Sequence, residues 1–555
     1  MFFNYFYLQK RWLVPLLLLL VVTLNGRAQA PAWQAAVAIT TSSTGSAYAN
    51  ATATDAAGNV YVAGQFSGTV NLGSFSFTSS VGNNGFVAKW SPATRSFSWA
   101  KQLGGAVSGV AVVGGSVYAV GYFLGAAVFG NATLTSVGDY DMFVAKLVDA
   151  GGSSTIAWAK QAGGAGSDQA RAVAATSTGV YVAGTFAQTA AFGTNTLTTG
   201  GSSNGFVTKV TDSGSTGVFT WTQQVASSGI TGVAGLAAVG SAVYLVGRIE
   251  QAATFGNITL ATNGSLPAYV AKLLDAGATS SFGWVQAPVS TTSSMYAGSV
   301  AVVGSNVYLS GDFTGTATFG TQALTSAGQR DAFVAKLTDV GGMGNFVWAQ
   351  RAGGPSDDLG SRVAVAGSNV YVASVFTGTA SFGSTSLTSF GGGDVYVTCL
   401  TDAGSSAIFT WTQQAGGAGN DSSYGLALSG TMPVVVGSFN ATANFGNQAI
   451  TSTGLYSENA FLALLGPNVL ATAYTVPLPS LVPYPNPAHG TTTVRVPAGS
   501  PATLILLDAL GRMVRTAAVP VGSDYMLDLS GLMPGVYALR VQAGEGQAMR
   551  QLVVE

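Results

Sequence analysis

The sequence predicts an all-β chain: a seven-bladed β-propeller whose N-terminal strand completes the last blade, followed by a small C-terminal β-sandwich. Three observations point there. A Phe-Gly dipeptide, Leu-Gly in its first copy, places glycine at 73, 130, 193, 256, 320, 383 and 446, with spacings of 57, 63, 63, 64, 63 and 63. A tryptophan opening a short apolar stretch also recurs seven times, at Trp33, Trp99, Trp158, Trp221, Trp284, Trp348 and Trp411. With 75 glycines and many Thr, Ser and Val residues, the composition suits short strands and tight turns.

Taken from the N-terminus, Lys10 and Arg11 precede an apolar run from Trp12 to Leu24 and small residues at Ala28 and Ala30, the order of a secretory signal. Cleavage after Ala28 or Ala30 makes residues 1–30 the signal and leaves a mature chain with no transmembrane span. Residues 31–466 form the repeat array. Each unit carries a segment such as YVAGTF at Tyr181, then the Phe-Gly marker, then one such as FVAKL at Phe143, then the tryptophan segment. In the third unit these read as strands over 170–176, 180–186, 206–210 and 219–224, with period-two alternation. The first tryptophan precedes the first Phe-Gly and none follows the last, so the Trp33 strand is displaced by one place and predicts ring closure beside residues 461–465. Radial packing buries both faces of such units and removes two exposed edges; an open β-solenoid is the competing architecture. The repeats, with GGAGSD from Gly163, GSNVYLSGDFTGTATFG from Gly304 and DAFVAKL from Asp331, resemble the bacterial seven-bladed β-propeller repeat family. That resemblance implies a fold and says little of function.

Residues 467–480 contain three prolines and read as a linker, and residues 481–555 as a compact β-sandwich. The phrases PYPNPA from Pro483, LLDALGRMVR from Leu506, LDLSGLMPGVYALRV from Leu527 and the closing RQLVVE resemble the C-terminal sorting domain of type IX secretion cargo, type A. The residues carrying that motif are Pro485, Asn486, Pro487, Gly511, Arg512, Gly535 and Tyr537. The resemblance implies passage through the periplasm and outer membrane, partnership with the type IX machinery and its sortase, and an extracellular or outer-surface location.

Chemistry is sparse. Charged residues are 8% of the chain, 21 basic against 22 acidic, so no strong field draws nucleic acid. The lone histidine, His489, lies in the C-terminal segment, which excludes a Ser-His-Asp triad or multi-histidine metal site in the repeats. Cys399, the lone cysteine, stands where sister repeats have lysine and reads as structural. Asp149, Asp212, Asp275, Asp339 and Asp402 precede Gly-containing turns and read as turn formers. Lys89, Lys146, Lys209, Lys272 and Lys336 share one strand position and read as snorkelling side chains.

Two further aspartate sets are the ligand-binding candidates: Asp141, Asp331 and Asp394 before the third strand of a unit, and Asp168, Asp358 and Asp421 before the first. Alternating strand direction puts both sets on one loop face, the expected binding surface. Loop capping is the plainer role for them. Carboxylates beside Gly, Ser and Asn also suit Ca²⁺, although no EF-hand spacing occurs. No catalytic residue is assigned. The expectation is an exported, non-enzymatic module for binding, adhesion or structure, with surface glycans or proteins as partners. The alternative is a polysaccharide hydrolase or lyase using the loop-face aspartates.

Overall fold

The computed structural model describes residues 30–555 apart from 43, 80–81, 83, 263–265, 291–293, 455–456, 468–475, 478–482, 496–501, 509–512, 522–523 and 544–545. The signal segment, Gly511, Arg512 and most of the linker therefore lie outside the described residues. Strands are the only regular element among the described residues, and no helix there is long and apolar enough to cross a membrane. The chain divides into two compact units, Met1–Asn468 and Val469–Glu555.

In the first unit a four-stranded antiparallel meander recurs seven times among the described residues. The third repeat runs Gln169–Thr176, Gly179–Phe186, Asn204–Asp212 and Gly217–Ser227. The seventh takes its fourth strand from the N-terminus: Ala32–Thr41 pairs with Asn459–Gly466, with Trp33 opposite Leu465 and Ala38 opposite Phe461. Apolar alternation explains where the core sits. Each of seven buried clusters is built from two consecutive repeats, and one joins Val434 and Leu462 of the seventh to Val62 and Phe86 of the first. First strands of successive repeats also lie side by side, and that of the seventh, Asp421–Ser429, returns to Ser46–Thr54 of the first.

The four-strand reading of a repeat misses a hairpin. Between the second and third strands stand two short strands, Thr189–Phe192 and Asn195–Thr198 in the third repeat. The Phe-Gly marker is their turn. Gly193, at φ 61°, takes the first position of the two-residue turn, where a Cβ is unfavourable, while Phe192 is fully buried. In five repeats this hairpin extends the preceding repeat's fourth strand, as Gly163 and Gly164 do with Ala191 and Ala190. The hairpin thus covers a sheet edge that would otherwise invite pairing with another chain.

In the second unit a five-stranded sheet and a two-stranded ladder, Thr491–Arg495 with Asp524–Asp528, share a core containing Val494, Leu504, Leu527, Leu539 and Leu552.

Candidate functional site

Between neighbouring repeats the recurring Tyr, Lys, Trp and Asp residues form one device. Asp275 accepts from Lys209 Nζ at 2.7 Å and Tyr181 Oη at 2.7 Å on Oδ2, and from Trp221 Nε1 at 3.0 Å and Gly277 N at 2.9 Å on Oδ1. All three side-chain donors belong to the preceding repeat. The arrangement recurs at Asp149, Asp212, Asp339 and Asp402 with Lys89, Lys146, Lys272 and Lys336. Burial opposes ionisation of these aspartates, yet the lysine, tyrosine and tryptophan donors outweigh it and lower every one, Asp212 to about 2. This corrects the snorkelling assignment of the lysines. Lys209 is 5% exposed because the next repeat brings a carboxylate to its ammonium. It also enlarges the turn role of the aspartates, which hold the Gly-containing turn and clamp a neighbour together. At the last two junctions Lys is replaced by Cys399 and Leu464, and the aspartate position by Pro467 and Pro92, so the two charges are lost together. Burial raises the Cys399 thiol to about 11, which keeps it a thiol.

The loop-face aspartates are brought together as pairs, but not on an open surface. Asp141, Asp168, Asp331, Asp394 and Asp421 have no exposure and Asp358 has 1%. Direct contact with a glycan or protein surface is therefore closed to them, which corrects the expectation of a solvent-facing acidic site. The cause is the neighbouring backbone. Asp168 accepts from Gly164 N at 2.8 Å and Ala187 N at 3.1 Å, and Asp358 and Asp421 accept likewise from Gly354 N and Gly417 N. A Cβ on Gly163 would stand 2.5 Å from Asp141 Oδ1 and 2.9 Å from Asp168 Oδ2, so the carboxylates crowd over a position that only glycine can fill. The pairing is strict: where the first member is Asn84, Asn204, Pro267 or Asn459, the second is Gly105, Thr231, Met295 or Ala47. In each acidic pair Oδ1 of the first member has no partner. Burial raises Asp168 and Asp421 to about 7 and Asp358 to about 6, with backbone N–H donors opposing and the paired carboxylate adding to the rise. In one pair Arg351 donates to Asp331; in the others Gln161 and Gln414 stand in its place. Among the described residues no three His, Cys, Asp or Glu side chains converge as a metal site.

Repeat symmetry ends along the neighbouring first strands. A β-bulge interrupts the first strand of six repeats, and the extra residue is in turn Asn50, Ser108, Arg171, Ala234, Gly298 and Tyr424. Bulges re-aim side chains, and these six line two cavities of about 560 and 160 Å³. One position of the second strand, between a small residue and a conserved-pattern Phe or Ile, differs likewise: Gln65, Tyr122, Thr185, Arg248, Asp312, Val375 and Ser438. The first four of these line the larger cavity, with Tyr296 and Arg362. Arg171 and Arg362 line both cavities and so stand where they meet. Arg362 donates to the carbonyls of Tyr424, Ser361 and Gly298, and burial lowers its pKa. Arg248 pairs with Glu250 at 3.4 Å. Burial raises Asp312, near Arg248 and Arg330, to about 6. The sequence pattern does not single out these cavity residues, although unlike residues at one position of a regular repeat are a visible signal.

In the second unit Asn486 is tied to the last strand, donating to Gln551 O at 2.8 Å and accepting from Val553 N at 2.8 Å. The bonds preceding Pro485 and Pro487 are cis. Thr492 donates to Pro485 O, Gly535 opens the strand Gly535–Ala543, and the Tyr537 hydroxyl donates to Met533 O at 2.8 Å.

No curated protein matches the chain. Among solved structures it is similar to a protein of unknown function from Dyadobacter fermentans, at 11% identity over 79% of this chain and 100% of that one, with a TM-score of 0.36. It is also similar to a glycoside hydrolase family 32 structure from Bifidobacterium adolescentis, at 11% identity over 93% and 95%, with a TM-score of 0.25. At those scores neither likeness bears on fold or activity. Residues 483–555 match the family described as the secretion system C-terminal sorting domain. That segment, with its Pro-Asn-Pro turn bonded to the final strand, is the type IX sorting tail of this chain, and it marks the protein for export to the cell surface or extracellular space.

Proposed function

We propose that the first unit is a closed seven-bladed propeller that works outside the cell as a non-enzymatic binding module, with its ligand held at the axis. Closure is supported by the return of the seventh first strand to the first and by the apolar layer shared between those repeats. The N-terminal apolar segment supports entry to the periplasm by the Sec route, and the tail supports hand-over to the type IX machinery and its sortase. The binding reading is carried by one observation: the repeats keep their hairpins and core residues, and five of seven junctions keep the clamp, yet the repeats diverge at the positions that line the axial cavities. Packing alone asks for the same residue in each repeat. Unlike residues around one cavity suit an asymmetric ligand, and a volume near 560 Å³ lies in the range of small-molecule sites.

The test is to screen the purified mature protein against glycan and protein arrays, with and without Ca²⁺. Binding lost on Ser108→Trp, which fills the larger cavity, is the expected result. Turnover of a polysaccharide abolished by replacing an axial or paired aspartate would overturn the non-enzymatic reading.

A further inference from the structure

Resting on the axial-site reading, we infer that the larger cavity takes a small anionic saccharide bearing a carboxylate or sulfate group, which Arg171 and Arg362 receive where the two cavities meet. Charge balance is the first reason. Three arginines line this cavity and no carboxylate does. Arg248 has Glu250 and Asp312 beside it, whereas Arg171 and Arg362 form no ion pair among the described residues. The Arg171 side chain makes no hydrogen bond among the described residues and is exposed to the cavity. Arg362 spends donors on three backbone carbonyls, which fix its plane without neutralising it. The half-buried guanidinium of Arg362 has no counter-charge, which is unfavourable, while the exposed Arg171 offers its full fork of donors, and an anion with two oxygens matches both.

The rest of the lining describes what carries the anion. Tyr122, Tyr296 and Tyr424 present ring and hydroxyl together, and Asn50, Gln65 and Thr185 add short donors and acceptors. Rings with hydroxyl rims and amide groups suit a body with alternating C–H and hydroxyl surface, as a sugar has, better than a purely apolar one. Tyr122 is braced edge-on against Tyr140 at 5.3 Å, and Tyr424 shares a hydrogen bond with Ser438 at 3.2 Å, so both are held before a ligand arrives. The cavity is too small for a polymer to thread, so a chain end or a free mono- or disaccharide is the occupant.

The experiment is calorimetric titration of the mature protein with glucuronate, galacturonate and glucose 6-sulfate, and with neutral glucose as the control, at low and high salt. The acidic probes are expected to bind at least tenfold tighter than glucose and to weaken with salt. Arg171→Gln is expected to remove that preference without moving the Tm, because Arg171 has no partner in the fold; Arg362→Lys, which keeps the charge and loses the fork, should weaken binding at least severalfold. Equal affinity for glucose and the acids, or no binding of any acidic probe, overturns the anionic inference, as does an Arg171→Gln protein that binds unchanged. If glucose binds and Ser108→Trp abolishes it, the axial-site reading survives that failure. Acid-probe binding untouched by Ser108→Trp sinks both.

Discussion

Replacing Lys209 by Met removes the ammonium from a carboxylate that has nowhere to go. Asp275 is bonded at 2.7 Å to Lys209, and their side chains are 6% and 3% exposed. Breaking a buried pair by removing one partner costs about 3–5 kcal/mol, mostly the penalty on the charge left behind. Tyr181, Trp221 and Gly277 continue to donate to Asp275, so the lower end, about 3 kcal/mol, is expected for Lys209→Met. Adding Asp275→Asn removes the stranded charge and keeps an acceptor for Trp221. The double variant should then be less damaged than Lys209→Met alone, with a coupling energy of about 2 kcal/mol. The chain has made a comparable change itself at Cys399 and Leu464, where both charges are absent. Urea unfolding followed by tryptophan fluorescence reads the repeat unit selectively, because no tryptophan follows Trp411. A coupling energy below about 0.5 kcal/mol, the size found for independent sites, would refute the clamp as an interaction between repeats.

The paired aspartates predict the opposite pH dependence from the clamps. Asp168 and Asp421 are raised to about 7 and Asp358 to about 6, so the native state holds their protons where an unfolded chain has released them. Their contribution is complete below the unfolded value of about 3.9 and is lost as pH rises through 6–7. Asp168→Asn should therefore raise the Tm at pH 8, by a gain on the order of 1–3 kcal/mol, and have less effect at pH 5; a lower Tm at pH 8 contradicts this. The clamp aspartates lie below their unfolded value, so their contribution is present at neutral pH and is lost in acid, for Asp212 as pH falls toward 2; melts of Asp212→Asn and wild type at pH 3 and 7 test that sign by whether the gap narrows in acid. Removing residues 31–41 uncovers the edge of Asn459–Gly466, and self-association visible by size-exclusion chromatography should follow; a well-behaved monomer with an unchanged melt would deny that strand a closing role. Truncation before Pro483 should leave the protein in the periplasm, and its appearance outside the cell would contradict the sorting role of residues 483–555.

Features that repeat and features that are local are legible in the linear chain. Strand periodicity, the recurrence of Phe-Gly and Trp, the displaced Trp33 strand and the motif around Asn486 can all be read from spacing, because each reports a backbone need met within a few residues or at a constant offset. The hairpin is not legible although Phe-Gly marks its turn, since four-residue strands give too little alternation to detect. Tertiary structure alone decided which side chains meet across repeats. Lys209 finds its carboxylate 66 positions away on another sheet, and in sequence that lysine looks like any surface lysine. Asp168 reads as solvent-facing in sequence, yet Gly163, Gly164 and Ala187 pack around it. The cavity residues depend on structure most of all: a bulge interrupts the strand at Arg171, and the packing of neighbouring first strands brings it to the same cavities as Arg362. Burial and charge pairing are properties of three-dimensional neighbours, and a linear chain records them only where a repeat lets one copy be compared with the next.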